Sequence, residues 1–268
     1  MFDRIEKGLY WDRAWSLVEG CTPASEGCTH CWAARQAAMR MHQKNEKIRK
    51  RYEELTDENG HWTGKIRLME KNLSLPLHIK KPTVFAIWND LFHEKVPRDF
   101  IQYAFEVMEA ASQHIFLVLT KRPERIQESL YGEQGNWYLG GGDYIANIWL
   151  GVTAENQEQA DKRIPVLLQI PTAKRFVSIE PILGPIVLDK WIGEQKLHWV
   201  ILGGETGPGA RPMKYGWAFE IAEQCADAGV PLFYKQGLDD TGNFTKLPVL
   251  QGRQWKEIPN GFTVPESY

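Results

Sequence analysis

Six short runs of nearly continuous apolar, β-branched or aromatic residues recur along the chain, at 84–88, 115–119, 148–152, 175–179, 199–202 and 231–234. Runs of this length and character predict strands buried on both faces. Residues 15–18 form a further candidate, the first strand of the series. Between the runs, residues 98–112, 157–169 and 215–228 carry apolar side chains at helical spacing, and Gly229, Val230 and Pro231 form a helix stop followed by strand entry. Strands separated by helices imply parallel pairing. The chain therefore reads as an α/β protein, a single domain over residues 1–268, with a complete or partial β/α barrel of TIM type as the leading architecture. An open doubly wound sheet is the second.

Three stretches leave this rhythm. Residues 42–82 hold a charged segment containing Lys47, Arg49 and Lys50, then Asp57 to Gly60, then a basic run from Lys65 to Lys71. They predict a helix and an exposed turn inserted as a lid, either a solvated face or a basic cover for an anionic substrate. The glycine-rich 132–142 lacks the strand–turn–helix frame of a dinucleotide fingerprint and predicts a loop. From about residue 238 to 268 the chain predicts a C-terminal extension, a closing hairpin whose first turn holds Gly242 and Asn243.

Both architectures put function at the carboxyl ends of the strands. Those ends are polar: Asn89 and Asp90; Thr120, Lys121 and Arg122; Thr153, Glu155 and Asn156; Ser178 and Glu180; Gly203, Gly204 and Glu205; Lys235 and Gln236. A carboxylate at such a place is costly to desolvate without a partner, so Glu155 and Glu180 are either functional groups or halves of ion pairs with Lys121, Arg122 or Lys235. Asp90 is similar, or simply caps a turn. His93, His114 and Cys225 read as packed side chains.

Hydrophobic residues at 43% and charged residues at 25% describe an ordinary globular protein. No apolar run approaches the roughly 20 residues that span a bilayer, and the N-terminus lacks a signal peptide's apolar core. A membrane-free, cytoplasmic protein is expected. A net charge of -2 leaves any nucleic-acid contact to a local basic patch. Lys121, Arg122, Arg125, Lys174, Arg175 and Arg211 are candidates for it.

Three of the 4 cysteines, Cys21, Cys28 and Cys31, share one short loop spaced C-x6-C-x2-C. Thiolates converging from a turn-rich loop suit a soft metal or an iron–sulfur cluster. Three ligands without an obvious fourth leave a position open for a small molecule. Closed by His30, His42 or Cys225, the same loop would be a structural zinc site in a non-catalytic nucleic-acid or protein binding module. A third reading is a hydrolase with Glu155 and Glu180 as acid and base.

The pattern W-x4-G-C-T-x2-S-x-G-C-x2-C from Trp15 to Cys31 is accompanied by five further motifs in order. They are Asn89 to His93, Leu119 to Pro123, Trp149 to Asn156, Phe176 to Pro181 and Gly203 to Met213. Over residues 10–237 the chain resembles the phage-associated three-cysteine-motif proteins, which are in turn similar to radical SAM enzymes. The resemblance implies a 4Fe-4S cluster on Cys21, Cys28 and Cys31, with S-adenosyl-L-methionine as second cofactor and an electron donor such as a flavodoxin or ferredoxin. It makes Gly203, Gly204 and Glu205 candidates for binding that cofactor; by their places at the strand ends Asp90 and Ser178 are further cofactor-binding candidates and Glu180, Glu155 and Lys121 candidates for catalysis, and the cations named above favour a phosphate-bearing or nucleic-acid substrate.

Overall fold

A computed structural model of the chain describes residues 2–130, 145–193 and 195–261. In order these form α1 (Phe2–Ile5), β1 (Arg13–Ser16), β2 (Val18–Glu19), α2 (Trp32–Met41), α3 (Glu46–Tyr52), β3 (Arg67–Leu68), β4 (Val84–Trp88), α4 (Arg98–Ala110), β5 (Ile115–Thr120), α5 (Glu124–Leu130), β6 (Ile148–Thr153) and α6 (Gln157–Leu168). There follow β7 (Lys174–Ile179), β8 (Trp199–Gly203), α7 (Tyr215–Asp227), β9 (Leu232–Leu238), β10 (Phe244–Lys246), β11 (Val249–Leu250) and β12 (Arg253–Gln254). The expected runs are all strands, and the three expected helices lie within a few residues of their predicted bounds. The loop expected at 132–142 lies outside the described residues.

The main sheet has eight strands in the order β1-β4-β5-β6-β7-β8-β9-β10. Every pair is parallel except β9 with β10. Each new parallel strand is added on the same side of the last, so the reversal that a doubly wound sheet requires is missing. Among the described residues no pairing closes the sheet on itself. The expectation of a parallel β/α fold holds, and closure into a complete barrel is not seen.

Period-two alternation sorts the strand residues onto two faces. One face joins the helices in the larger core, where Phe116, Val118, Leu150, Val152, Val177 and Val200 meet Ile101, Phe105, Ile164, Leu167, Ile221 and Ala222. The other, here the inner face, carries Val84, Ile115, Leu117, Trp149, Phe176, Trp199, Ile201 and Phe233. Trp199 is its centre, with Tyr10, Trp149, Phe176 and Phe233 around it at ring-centroid distances of 5.4 to 6.4 Å in edge or tilted contacts. Ile5, Tyr10 and Trp11 from the N-terminal segment and Leu247 and Ile258 from the C-terminal extension cover it. Gly151 belongs to this packing, because a Cβ there would stand 2.4 Å from the Phe176 ring.

The charged insertion folds onto the sheet. Ala37, Tyr52 and Leu55 make a small core of their own with Met41, Ile48 and Trp62, and β3 pairs with β2. Buried Glu19 fastens it by accepting from Ser16, Arg51 and Tyr52 through Oε1 and from Asn89 through Oε2. The C-terminal extension forms the expected hairpin. Its turn is closed by the amide of Asp239 on the carbonyl of Asn243 at 2.9 Å.

Candidate functional site

Counting by twos from inner-face residues Leu117, Trp149, Phe176, Ile201 and Phe233 reaches Lys121, Glu155, Glu180, Glu205 and Lys235. The same alternation that lines the inner face with aromatic rings therefore sets a row of charges at its carboxyl end. The cysteine loop follows β2, just beyond the carboxyl end of β1, and lies across this row. Each charged group but the Glu180–Lys235 pair holds the loop.

Three anchors do this. The first is Asp90 at the end of β4, buried and accepting from Thr120 Oγ1 at 2.7 Å, Arg122 at 2.8 Å and the amide of Phe92 at 3.0 Å. Arg122, so fixed, donates to the carbonyl and hydroxyl of Thr22, beside Cys21, at 3.1 and 2.7 Å. Fully buried His93 meets the same hydroxyl at 3.0 Å. The second anchor is Glu155, with no exposure. It takes Arg163 of α6 at 2.9 Å and Lys121 at 3.7 Å, and its Oε1 accepts from the amide of Gly27 at 3.1 Å. A Cβ on Gly27 would come within 2.9 Å of both Glu155 and Lys121, so only glycine lets the loop lie this close. The third anchor is Glu205. It accepts from Arg211 through the backbone amide at 2.8 Å, through Nε at 3.0 Å and through a terminal guanidinium nitrogen at 2.6 Å. His30 Nδ1, next to Cys31, lies 2.9 Å from its Oε2 and carries the proton, since a carboxylate only accepts. Arg211 continues to Glu26 at 3.2 Å.

The electrostatics follow from these contacts. Burial works against ionisation of Glu205, but Arg211 and His30 outweigh it and hold the carboxyl at about 2. Burial likewise opposes Glu155, where Lys121, Ser25, Arg163 and the Gly27 amide prevail and keep it below the usual range. The thiols divide. Burial, with Asp90 adding to it, pushes Cys21 up to about 12. At Cys28 burial is overcome by Lys121, whose ammonium is 3.5 Å from the sulfur, and by the amides of Ala24 and Ser25, so the thiol lies below its usual range.

All three loop cysteines are free and half-buried, close enough for Cys28 and Cys31 to act on the charge of Cys21. Among the described residues no three His, Cys, Asp or Glu side chains gather tightly enough to wrap a single bare ion. His30 is bonded to Glu205, His42 lies beyond the far end of α2, and Cys225 is buried in the helix-side core. Of the three, only His30 keeps a ring nitrogen, Nε2, outside that bond, and a carboxylate on the other nitrogen is the usual partner of a metal-binding histidine. An iron–sulfur cluster spreads its ligands further apart than one ion does and is held chiefly by cysteine thiolates. The donor set of three free cysteines fits that group.

The remaining predicted residues fall as follows. Glu180 Oε1 accepts from Lys235 and Gln236, both at 2.7 Å. Ser178 is buried beside Thr153 and Ile201 in the register of the sheet. The carbonyl of Gly203 accepts from Ile182, and the amide and carbonyl of Gly204 both bond to Gln236. A Cβ on Gly203 would stand 2.7 Å from Gln236, and one on Gly204 2.6 Å from Phe244. The two glycines thus allow close packing of β8 against its neighbours. Of the cations expected to charge the rim, Arg122 and Arg211 are paired, Arg125 meets Glu128 at 3.0 Å, and Lys174 and Arg175 start β7 at the opposite end of the sheet. A rim-wide positive patch is therefore not formed.

Sequence reasoning missed Arg163, Thr22 and the linking role of His93. Arg163 could have been found. It lies in the stripe Ala160, Ile164 and Leu167, where a charge demands a buried partner.

The chain belongs to the family described as Protein of unknown function (DUF5131), whose model matches residues 6–259. No curated protein and no solved structure matches it. No helix among the described residues is long and apolar enough to cross a membrane.

Proposed function

We propose that the chain is an iron–sulfur enzyme of radical SAM type, with Cys21, Cys28 and Cys31 holding a 4Fe-4S cluster on a partial β/α barrel. The observation that carries this reading is the convergence of three independent carboxylate anchors, from β4, β6 and β8, on one loop bearing three free thiols. Such investment in holding a loop is what a preorganised cofactor site requires. The single-direction strand order, with the crossover helices α4, α6 and α7 packed on one face, supports the partial-barrel description. A reduced cluster would supply the electron that splits S-adenosyl-L-methionine into methionine and a 5′-deoxyadenosyl radical.

The chain's own residues have separate tasks under this reading. Lys121 holds Cys28 toward the thiolate form. Glu155 neutralises Lys121 and fixes Gly27. Glu205 with Arg211 positions His30 and Glu26 at the other end of the loop. Glu180 and Lys235, on the inner face and outside the anchoring network, are the polar pair left to meet a substrate. Glu155, by contrast, is buried and doubly paired, which does not suit the acid or base of a hydrolase. The test is anaerobic incubation of the protein with S-adenosyl-L-methionine and dithionite. Formation of 5′-deoxyadenosine, lost in Cys28→Ala, is expected. Its absence from cluster-loaded protein would overturn the cofactor assignment.

A further inference from the structure

The helical hairpin that follows the cysteine loop differs in charge from the rest of the molecule. From Trp32 to Tyr52 it carries seven Lys and Arg against a single acid, Glu46, in a chain of net charge -2. Two of the seven are turned to structural use: Arg51 binds Glu19, and Arg40 donates to the Tyr52 hydroxyl at 2.6 Å. Lys50 pairs with Glu46 and Arg35 bonds to the carbonyls of Thr206 and Pro208. Lys44, Lys47 and Arg49 remain, all exposed, and no acid among the described residues pairs with them.

The same hairpin exposes large apolar side chains. Trp32, at the first position of α2 directly after Cys31, is 48% exposed, and Met39, seven residues on and so on the same helix face, is 66% exposed. Trp32 is held rather than loose. It meets Trp88, the last residue of β4, edge to face with centroids 4.7 Å apart. Trp88 lies 6.0 Å from the Arg40 guanidinium. Asn89, which follows it with a left-handed φ of 59°, is tied to the carbonyl of Val18 at 2.8 Å. A fixed, exposed indole at the edge of a cysteine loop, continuous with unpaired cations along the next helix, combines a stacking platform with a phosphate track.

We infer that the α2–α3 hairpin binds single-stranded nucleic acid, with a base stacked on Trp32 and the phosphodiester backbone running toward Lys44, Lys47 and Arg49. This names the substrate class for the cysteine-loop site and to that extent rests on the reading above, but the binding itself needs no cluster. Two features favour a nucleic acid over an acidic protein partner: the aromatic pair, and the spread of the cations from Lys44 in the α2–α3 turn to Lys47 and Arg49 on α3, one helix away from the platform.

The test is fluorescence anisotropy with labelled single-stranded DNA and RNA of about 12 nucleotides, using both the natural chain and Cys28→Ala. Salt-dependent binding by both is expected. Trp32→Ala should weaken it roughly 5- to 150-fold, with Trp32→Phe restoring most of the loss. Replacing Lys44, Lys47 and Arg49 together by Ala should reduce the slope of log affinity against log salt by about 2. Replacing Lys80 and Lys81, exposed at the opposite end of β4, should change neither. Three results would overturn the inference: no binding of either oligonucleotide, equal affinity for heparin with no effect of Trp32→Ala, or binding of a mononucleotide alone. Retained binding by Cys28→Ala, with no cluster in the natural chain, would remove the enzyme reading and leave the nucleic-acid surface standing.

Discussion

The inner face of the sheet is built of two halves that share the same strands and differ in everything else. Toward the amino ends lies an aromatic floor around Trp199. Toward the carboxyl ends, two to six residues further along each strand, lies a rim of Lys121, Glu155, Glu180, Glu205 and Lys235. The floor gains its stability from apolar area and ring contacts, which are non-directional and tolerate small shifts. The rim gains little net stability from its buried charges, since desolvation offsets most of their attraction. What directional bonds supply there is position, and they position one loop.

The sharpest way to separate the halves is a matched pair of substitutions. Trp199→Ala should destabilise the protein by about 3–5 kcal/mol through the cavity it leaves, measured by urea unfolding, and the folded fraction should keep its full metal content. Glu155→Ala should cost a similar ~3–5 kcal/mol, because buried Arg163 and Lys121 lose their counter-charge. This variant should lose metal in its folded fraction as well. Metal loss in both or in neither would erase the distinction. Next in size is Gly151→Ala, which overpacks the floor against Phe176 and should cost about 1–3 kcal/mol with metal content unchanged.

A pH experiment sharpens the rim. Glu205 has a folded value of about 2 against an ordinary 4.5, so its contribution to stability is fully present above about 4.5 and is lost as pH falls from there toward 2. Glu205→Gln should show a shallower loss of stability across that window than the natural chain, measured by denaturation at each pH. Equal slopes would mean that Arg211 and His30 do not hold the carboxylate as described. The smallest expected effect is on thiol chemistry. In metal-free protein at mildly alkaline pH, iodoacetamide should reach Cys28 faster than Cys21, and Lys121→Met should slow Cys28.

Much of the floor and of the strand order's character was legible in the chain, because buried parallel strands announce themselves as unbroken apolar runs. The polar strand ends were legible for the same reason. Their partners were not. Asp90 reaches Thr22 through Arg122, 100 residues away in sequence from Thr22, and Glu205 reaches His30 across more than 170 residues, so no local pattern encodes either contact. Gly203 and Gly204 illustrate the converse: the pair invites a ligand-binding reading, while their backbone groups bond to Ile182 and Gln236. The helix α2 escaped prediction because Ala, Arg and Gln dominate it and its apolar face is short.

Whether the anchored loop carries an iron–sulfur cluster decides what the rim is for. Anaerobic purification of the natural chain and of Cys28→Ala, with iron, sulfide and zinc analysis and an absorption spectrum, tests it most directly. Close to the four irons and four sulfides of one such cluster per natural chain are expected, with a visible chromophore that Cys28→Ala lacks. One zinc per chain and no chromophore would contradict the cluster assignment.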